Sequence, residues 1–304
     1  MVSNDIYLST KMILTKLPGI ETFSDKPPEP EDNMVLLATS QSKYYYPEHK
    51  TPYLFIANFL GTGRYVANKR KIDVSDRYFF FLNHNDSLEI NFGENTRIQT
   101  LFILFKRQFI NDCFSHLLRS EEQLLNVPQI TGTDIIVPTV PFTFDRAMMN
   151  KISLLSKAES KDNIDIYLTE LATNMATQIV FAQTRMNNIQ AVKRTTKEEI
   201  YSRIFQAIEI MNDSIYEKIT LDSIAEAVCM NKFHFLTHFK SITGSTPHQY
   251  STQIKLQKAR DLLRSKQYSV SEVCFTLGFE SVGSFSNLFK RKFHVTPSKI
   301  PNFK

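Results

Sequence analysis

Phe235-Leu-Thr-His-Phe239-Lys240 returns fifty residues later as Phe285-Ser-Asn-Leu-Phe289-Lys290, and Thr246-Pro247 returns as Thr296-Pro297. Upstream, Ile224-Ala225 matches Val273-Cys274 at an offset of 49, so the second copy has one extra residue at its turn. Self-similarity at a fixed period marks one supersecondary unit used twice. In the first copy Thr220 is a suitable N-cap, and Leu221, Ile224, Ala225 and Val228 form an apolar face. A turn around Cys229-Met230 follows, and Asn231 can cap the next helix. In the second, Ser269-Val-Ser-Glu272 is a capping box and Val270, Val273, Cys274 and Leu277 give the apolar face. Gly278-Phe279 supplies the turn and Ser281 the next cap. Helix, short turn, helix is the pattern of a helix-turn-helix, here in tandem.

The second helix of each unit is the one that enters a major groove in such motifs. At 100° per residue, Phe235, Phe239 and Ile242 lie together and pack inward, whereas Phe233, Leu236, Thr237 and Lys240 face away. The second copy repeats this. Phe285 and Phe289 point in; Gly283, Ser286, Asn287 and Lys290 point out; Val282 lies at the edge. Between the units, Thr246-Pro247 opens a helix expected to run to about Lys266. Roughly 20 residues span about 30 Å, close to the ~34 Å of one turn of B-DNA. Two successive major-groove segments are thus within reach of one chain.

Charge agrees in direction. From Lys197 onward there are 15 Lys and Arg against 10 Asp and Glu, whereas Met1 to Thr196 has 21 of each. The formal net charge of +5 therefore sits in the last third, where a polyanion partner is expected, although a solvated surface with five spare charges would look the same.

The first third reads as β. Aromatic and β-branched runs occur at Tyr53–Leu60, Arg64–Ala67, Arg77–Leu82, Ser87–Phe92 and Gln99–Phe105, separated by Gly, Asn and Asp. That pattern predicts a small antiparallel sandwich or barrel. Arg107 to Arg119 predicts a helix with Phe109, Cys113 and Leu117 on one face. Ser120 to Pro141 reads as an irregular connection, and Asp162 to Arg185 as a long helix with Ile164, Leu168, Leu171, Met175 and Ile179 aligned. That stripe either packs on its own barrel or pairs with a second subunit. The expected organisation is an α+β chain: a domain over 1–190, a linker over 191–196 and an all-α domain over 197–304.

Several classes are disfavoured. With 304 residues, 42% apolar and 22% charged, the chain reads as globular. It has no run of 18 apolar residues, so no membrane helix is expected. Met1 to Lys16 lacks the parts of a secretory signal, which makes the cytoplasm the expected compartment. Cys113, Cys229 and Cys274 are odd in number and widely spaced, giving neither a disulfide framework nor a zinc site. Cys113 reads as a core residue, with a sensing thiol as the other reading. His234, His238, His248 and His294 lack the spacing of a metal set, and His49, near Glu48 and His84, stands alone on its strand. No cofactor is expected. Paired carboxylates, a nucleophile elbow and a phosphate-binding glycine loop are missing, so an enzyme is the weaker alternative.

The stretch from about Ile200 to Ile300 resembles the AraC/XylS family of bacterial transcription regulators. The resemblance is carried by Ile224-Ala225, Phe239-Lys240, Gly244, Thr246-Pro247, Lys255-Leu-Gln-Lys-Ala-Arg-Asp-Leu-Leu263, Val273, Gly278-Phe279, Ser284-Phe285, Phe289-Lys290 and Thr296-Pro297. It implies a seven-helix domain that binds an asymmetric site near a promoter, usually as an activator working with RNA polymerase. Carried over position by position, base contacts fall on Phe233, Leu236 and Thr237, and on Val282, Gly283, Ser286 and Asn287. Phosphate contacts fall on Asn231, Lys232, Lys240, Ser281, Lys290 and Arg291. Phe233 keeps a second reading, as a cover for the domain core. His294 stands where the family commonly has glycine, a place that His tolerates better than most side chains. The first part is more loosely similar to the family's cupin-like barrel followed by helices, through Gly61-Thr-Gly63-Arg64-Tyr65. Such domains bind a small-molecule effector, form homodimers, or do both. Phe and Tyr lining suggests an apolar or aromatic effector of unknown identity, and a domain serving only as a dimerisation scaffold is the further alternative.

Overall fold

The computed structural model describes residues 11–14, 30–40, 43–93, 97–118 and 135–300. The chain divides into two compact units, Met1–Thr184 and Arg185–Lys304.

The first unit holds two sheets. Strands β1 (Lys11–Leu14), β2 (Met34–Ser40), β4 (Tyr53–Leu60), β7 (Tyr78–Leu82), β9 (Ile98–Phe105) and β10 (Phe142–Thr143) form one, in the order β1-β2-β9-β4-β7-β10. Strands β3 (Tyr44–Lys50), β5 (Gly63–Ala67), β6 (Arg70–Val74) and β8 (Ser87–Phe92) form the other, in the order β3-β8-β5-β6. Every pairing is antiparallel except β1 with β2. The two sheets share one core, to which Leu54, Ile56, Phe80, Leu82 and Phe102 contribute from the larger and Tyr65, Ile72, Leu88, Ile90 and Phe92 from the smaller. The expected cupin-like barrel thus takes the form of a two-layer sandwich, its sheets not joined into a closed cylinder.

Side-chain alternation explains which strands are buried twice. Along β4, Leu54 and Ile56 face the shared core, while Tyr53 and Phe55, also fully buried, face the opposite way. That second face meets helix α1 (Arg107–Leu118) and the residues from Ile135 that lead into edge strand β10. Phe81 packs on Phe114 at 5.7 Å, Phe79 on Phe142 at 5.3 Å, and Tyr53 donates to the Ile135 carbonyl at 2.9 Å. Strands β5 and β6, covered on one face only, alternate buried and exposed. The buried side of α1 is Ile110 and Phe114, one residue on from the expected stripe. Phe109 and Cys113 are half-buried, and the side chain of Leu117 lies outside the described residues.

Strands β1, β2, β3, β6 and β10 and helix α2 (Arg146–Lys157) were not expected. Asp145 caps that helix by accepting from the Met148 amide at 2.7 Å, and Met148, Ile152 and Leu155 line its buried side. Helix α3 (Lys161–Asn187) buries Ile164, Leu168, Leu171, Met175 and Ile179 within the single chain. Helix α4 (Arg194–Asp213) starts inside the expected 191–196 linker. Of the expected connection, residues 120–134 lie outside the described residues. The remainder is held by Asn83, which donates to the Val137 carbonyl at 2.9 Å and accepts its amide at 2.7 Å. Among the described residues no helix is long and apolar enough to cross a membrane.

A polar cluster lies inside the sandwich. Asn58, Tyr65 and Thr100 are buried. Tyr65 Oη and Thr100 Oγ1 both donate to Asn58 Oδ1, at 3.0 and 2.9 Å, and Asn58 Nδ2 donates to the Val74 carbonyl at 2.8 Å. Asn58 and Thr100 belong to one sheet, Tyr65 and Val74 to the other. The cluster therefore fixes how the layers align, since a slip would strand several buried polar atoms. Gly63 leaves room for it: a Cβ there would come within 2.8 Å of both Asn58 Nδ2 and the Tyr65 ring. Burial also drives the Tyr65 phenol far above its ordinary range, so it stays a neutral donor.

Asn58→Ala is expected to cost about 3 kcal/mol, because it leaves a cavity and unpaired partners. Tyr65→Phe is expected to cost only about 1 kcal/mol, since Thr100 keeps its bond to Asn58. Urea unfolding of the two variants, compared with the parent chain, checks the ratio.

Candidate nucleic-acid interface

The second unit is built from α4, α5 (Leu221–Ala227), α6 (Lys232–Thr243), α7 (Pro247–Arg264), α8 (Val270–Thr276) and α9 (Val282–Phe293), ending in a 3-10 turn over Pro297–Lys299. Its two copies share the same cap and turn pattern. Thr220 caps α5 by accepting from the Ser223 amide, and Ser269 and Glu272 form the reciprocal capping box of α8. The two bonds from Ser269 hold the Glu272 carboxyl below its usual range.

After α5 the chain turns through Cys229 at φ +52°, and after α8 through Gly278 at φ +72°. Cys229 donates to the Glu226 carbonyl and Met230 to that of Ala225; Gly278 donates to Phe275 and Phe279 to Cys274. In the first copy Arg203 steadies the turn, its Nη1 donating to the Cys229 carbonyl at 2.5 Å while Nη2 pairs with Glu199 at 2.6 Å. The extra residue of the second copy is Glu280, between this turn and the next cap.

Helices α6 and α9 are the two groove candidates. Asn231 caps the first by accepting from the His234 amide at 2.9 Å, and Ser281 the second from the Ser284 amide at 3.2 Å. The inward residues Phe235, Phe239, Phe285 and Phe289 are fully buried. The ring pairs match closely: 5.4 Å and 60° between planes in α6, 5.6 Å and 61° in α9. Each helix stops at a left-handed residue whose amide closes on the lysine four back, Gly244 on Lys240 at 2.9 Å and His294 on Lys290 at 2.8 Å. His294, at φ +60°, takes the place of glycine without altering the turn.

The opposite faces point to water. Phe233 is 73% exposed, which favours presentation to a partner over a covering role in the core. Thr237, Lys240, Gly283, Asn287, Lys290 and Arg291 are exposed, and Leu236 and Ser286 half-buried. Val282 is half-buried against the core formed by Leu256, Ala259, Val273, Leu277 and Phe285, which draws it away from the groove face. Asn231 and Ser281 are exposed with their side-chain oxygens used as caps, so their backbone amides remain the groups to offer a phosphate. Lys232 pairs with Asp222 at 2.9 Å, across the turn.

Sequence reasoning missed the role of Lys292. Its Nζ donates to the Gln253 carbonyl at 2.6 Å and lies 5.7 Å from the Phe293 ring, whose other cation is Arg260 at 4.9 Å. Burial and the nearby Arg260 lower the Lys292 pKa. Lys292 thus fastens α9 to α7 rather than standing free. The basic run Lys290-Arg291-Lys292 was legible, but not which member binds back onto α7.

Elsewhere, among the described residues no group of three or more His, Cys, Asp and Glu is placed to hold a metal ion. His49 Nδ1 lies 2.9 Å from the Pro47 carbonyl. Burial and the neighbouring Asp112 push the Cys113 thiol up, away from thiolate chemistry. The Phe and Tyr rings of the sandwich pack on one another. An open concavity of about 410 Å³ at the smaller sheet is polar, lined by Thr62, Arg64, Asp73, Asn91, Phe92 and Gly93, with Arg64 and Asp73 paired at 3.0 Å.

Two capped helices, alike in rotation and each presenting its outer face to water, define a tandem helix-turn-helix DNA-binding domain. Residues 224–301 match the family model described as a helix-turn-helix domain, and the domain is of the AraC/XylS type. The chain is 28% identical over 131 residues to the HTH-type transcriptional activator RhaS of Escherichia coli O139:H28, covering 43% of this chain and 47% of that protein. It therefore spans about half the length of the curated relatives it matches. Among solved structures, an AraC-type regulator from Chromobacterium violaceum is 28% identical with a TM-score of 0.31, covering 31% of this chain and 85% of that one. ToxT from Vibrio cholerae is 15% identical with a TM-score of 0.36, covering 90% and 95%.

Cβ space around Gly244 is empty, so Gly244→Ala tests backbone conformation alone and is expected to cost about 1 kcal/mol. His294→Gly should move the other way, gaining up to about 1 kcal/mol. Opposite shifts of the urea midpoint are the expected result.

Proposed function

We propose that this chain is a transcription regulator that grips duplex DNA with α6 and α9 in successive major-groove segments. The observation that carries the reading is the matched rotation of the two helices: identical burial of one aromatic pair leaves the same four places outward in each. Helix α7 supports it, since its 18 residues give a rod of about 27 Å, comparable with one turn of B-DNA at about 34 Å. The excess positive charge of this third of the chain supplies the attraction to phosphate. Phe233, Leu236 and Thr237, with Gly283, Ser286 and Asn287, face base edges and Val282 stands at the margin of that surface. Lys232, Lys240, Lys290 and Arg291, with the amides at Asn231 and Ser281, hold the backbone.

On this reading the sandwich unit is the regulatory part. It binds a small-molecule effector, pairs with a second copy of the chain, or both, and the bound protein activates transcription through RNA polymerase in the bacterial cytoplasm. The boundaries 1–190, 191–196 and 197–304 describe that division of labour, with the last residues of the connection taken into α4.

Selection of duplexes from a random pool by the full chain, followed by gel shifts across a salt series, tests the proposal. Affinity for the selected duplex should fall steeply as salt rises, the mark of phosphate contacts. Lys290→Ala should weaken all duplexes alike, and Asn287→Ala should relax preference at one position with a loss of about 1–3 kcal/mol there. Failure to enrich any duplex would overturn the reading.

A further inference from the structure

We propose that the first recognition helix reads the C5-methyl groups of thymine, while the second reads hydrogen-bonding edges. The inference rests on the DNA-binding reading above and names what one half of that surface recognises. The repeat sets residues in equivalent places fifty positions apart: Phe233 with Gly283, Leu236 with Ser286, Thr237 with Asn287, and Lys240 with Lys290. Both stripes follow i, i+3, i+4 and i+7 and end on an exposed lysine, so both lie on one face of a helix. Their chemistry differs at every place but the last.

On α6 the outward groups are a phenyl ring, an isobutyl group and a threonine. That threonine adds little polarity. Thr237 Oγ1 donates to the Phe233 carbonyl at 2.9 Å, so its hydrogen is committed to the helix and the methyl remains to make contact. Phe233 is not completing the core, which Phe235, Phe239 and Ile242 already close at 1% exposure or less. A ring so placed stabilises nothing until a partner covers it.

In the major groove, thymine alone presents an apolar group; adenine, guanine and cytosine present only donors and acceptors there. An apolar stripe entering that groove beside Lys240 therefore gains affinity at thymine and loses it where a polar edge is desolvated unpaired. Helix α9 has the contrary endowment. Ser286 and Asn287 supply donors and acceptors, and nothing lies within 4 Å of a Cβ at Gly283, so the base edges can come close. One half-site should be rich in thymine and the other specified by an amide and a hydroxyl.

Deoxyuridine replaces thymidine with loss of the methyl group and nothing else, which separates this contact from every other. A duplex enriched by the full chain is remade with uracil for thymine in one half at a time. In the half read by α6, affinity should fall about fourfold for each thymine touched, the worth of one methyl group taken out of water. In the other half it should change less than twofold. Phe233→Ala should lose only the part of the uracil effect that its ring carries, Leu236 and Thr237 keeping theirs, and should keep the parent unfolding midpoint, because the ring lies outside the core. Selective binding that ignores uracil in both halves would overturn the inference, and so would a uracil effect undiminished in Phe233→Ala. Failure to enrich any duplex is a distinct result that removes the DNA-binding reading itself.

Discussion

The interface depends on the burial of two phenylalanines, four residues apart, in each recognition helix. Once Phe235 and Phe239, or Phe285 and Phe289, are fixed against the core, helix rotation is no longer free. At 100° per residue the positions facing water follow automatically. Burying a phenylalanine stabilises by about 1.5–3 kcal/mol, so a rotated helix would forgo several kcal/mol per unit. Every functional assignment to an outward residue inherits its direction from that inward pair.

Direction alone does not place a helix along its axis, and the caps do that. A side-chain oxygen starts each recognition helix and a left-handed residue ends it, so both run twelve residues between fixed points. The turn before each cap is also left-handed, with Cys229 accepting in one copy what Gly278 adopts without strain in the other. The bond from Arg203 to the Cys229 carbonyl reinforces the copy whose turn residue carries a side chain. The same geometry is thus reached by different local means, which implies that the geometry itself is what both copies require.

Much of this was legible because the signals were local and repeated. The caps at Thr220, Asn231, Ser269 and Ser281, the inward aromatics and the rod opened by Pro247 all sit within a few residues of what they control. The sandwich was read less completely. Strand β3 contains Pro47 and breaks register between Tyr46 and His49, so its pattern does not alternate cleanly. Strand β6 is five residues long and largely charged, readable only as the partner of β5. The α1 stripe was misplaced because Phe109 and Ile110, adjacent and both apolar, give two competing faces; the six-stranded sheet decides between them. Helix α2 had its cap and its Met148, Ile152 and Leu155 spacing in plain view, overlooked beside the irregular residues before it. The Lys232–Asp222 pair and the bond from Lys292 to the Gln253 carbonyl join residues ten and thirty-nine apart, and no local pattern predicts those.

The unlike outer faces of the two units bear on orientation. Were both recognition helices to present the same groups, a rod joining them could be laid along a duplex either way round with little difference in energy. Phe233, Leu236 and Thr237 against Gly283, Ser286 and Asn287 removes that degeneracy. In the DNA-binding reading, reversing the chain would set the apolar stripe over polar base edges and the amide over thymine methyls. With each mismatched position costing about 1–3 kcal/mol, two or three of them would disfavour the reversed complex by about thirtyfold or more. On that reading, a single chain with chemically distinct units fixes its own polarity on a site that need have no symmetry.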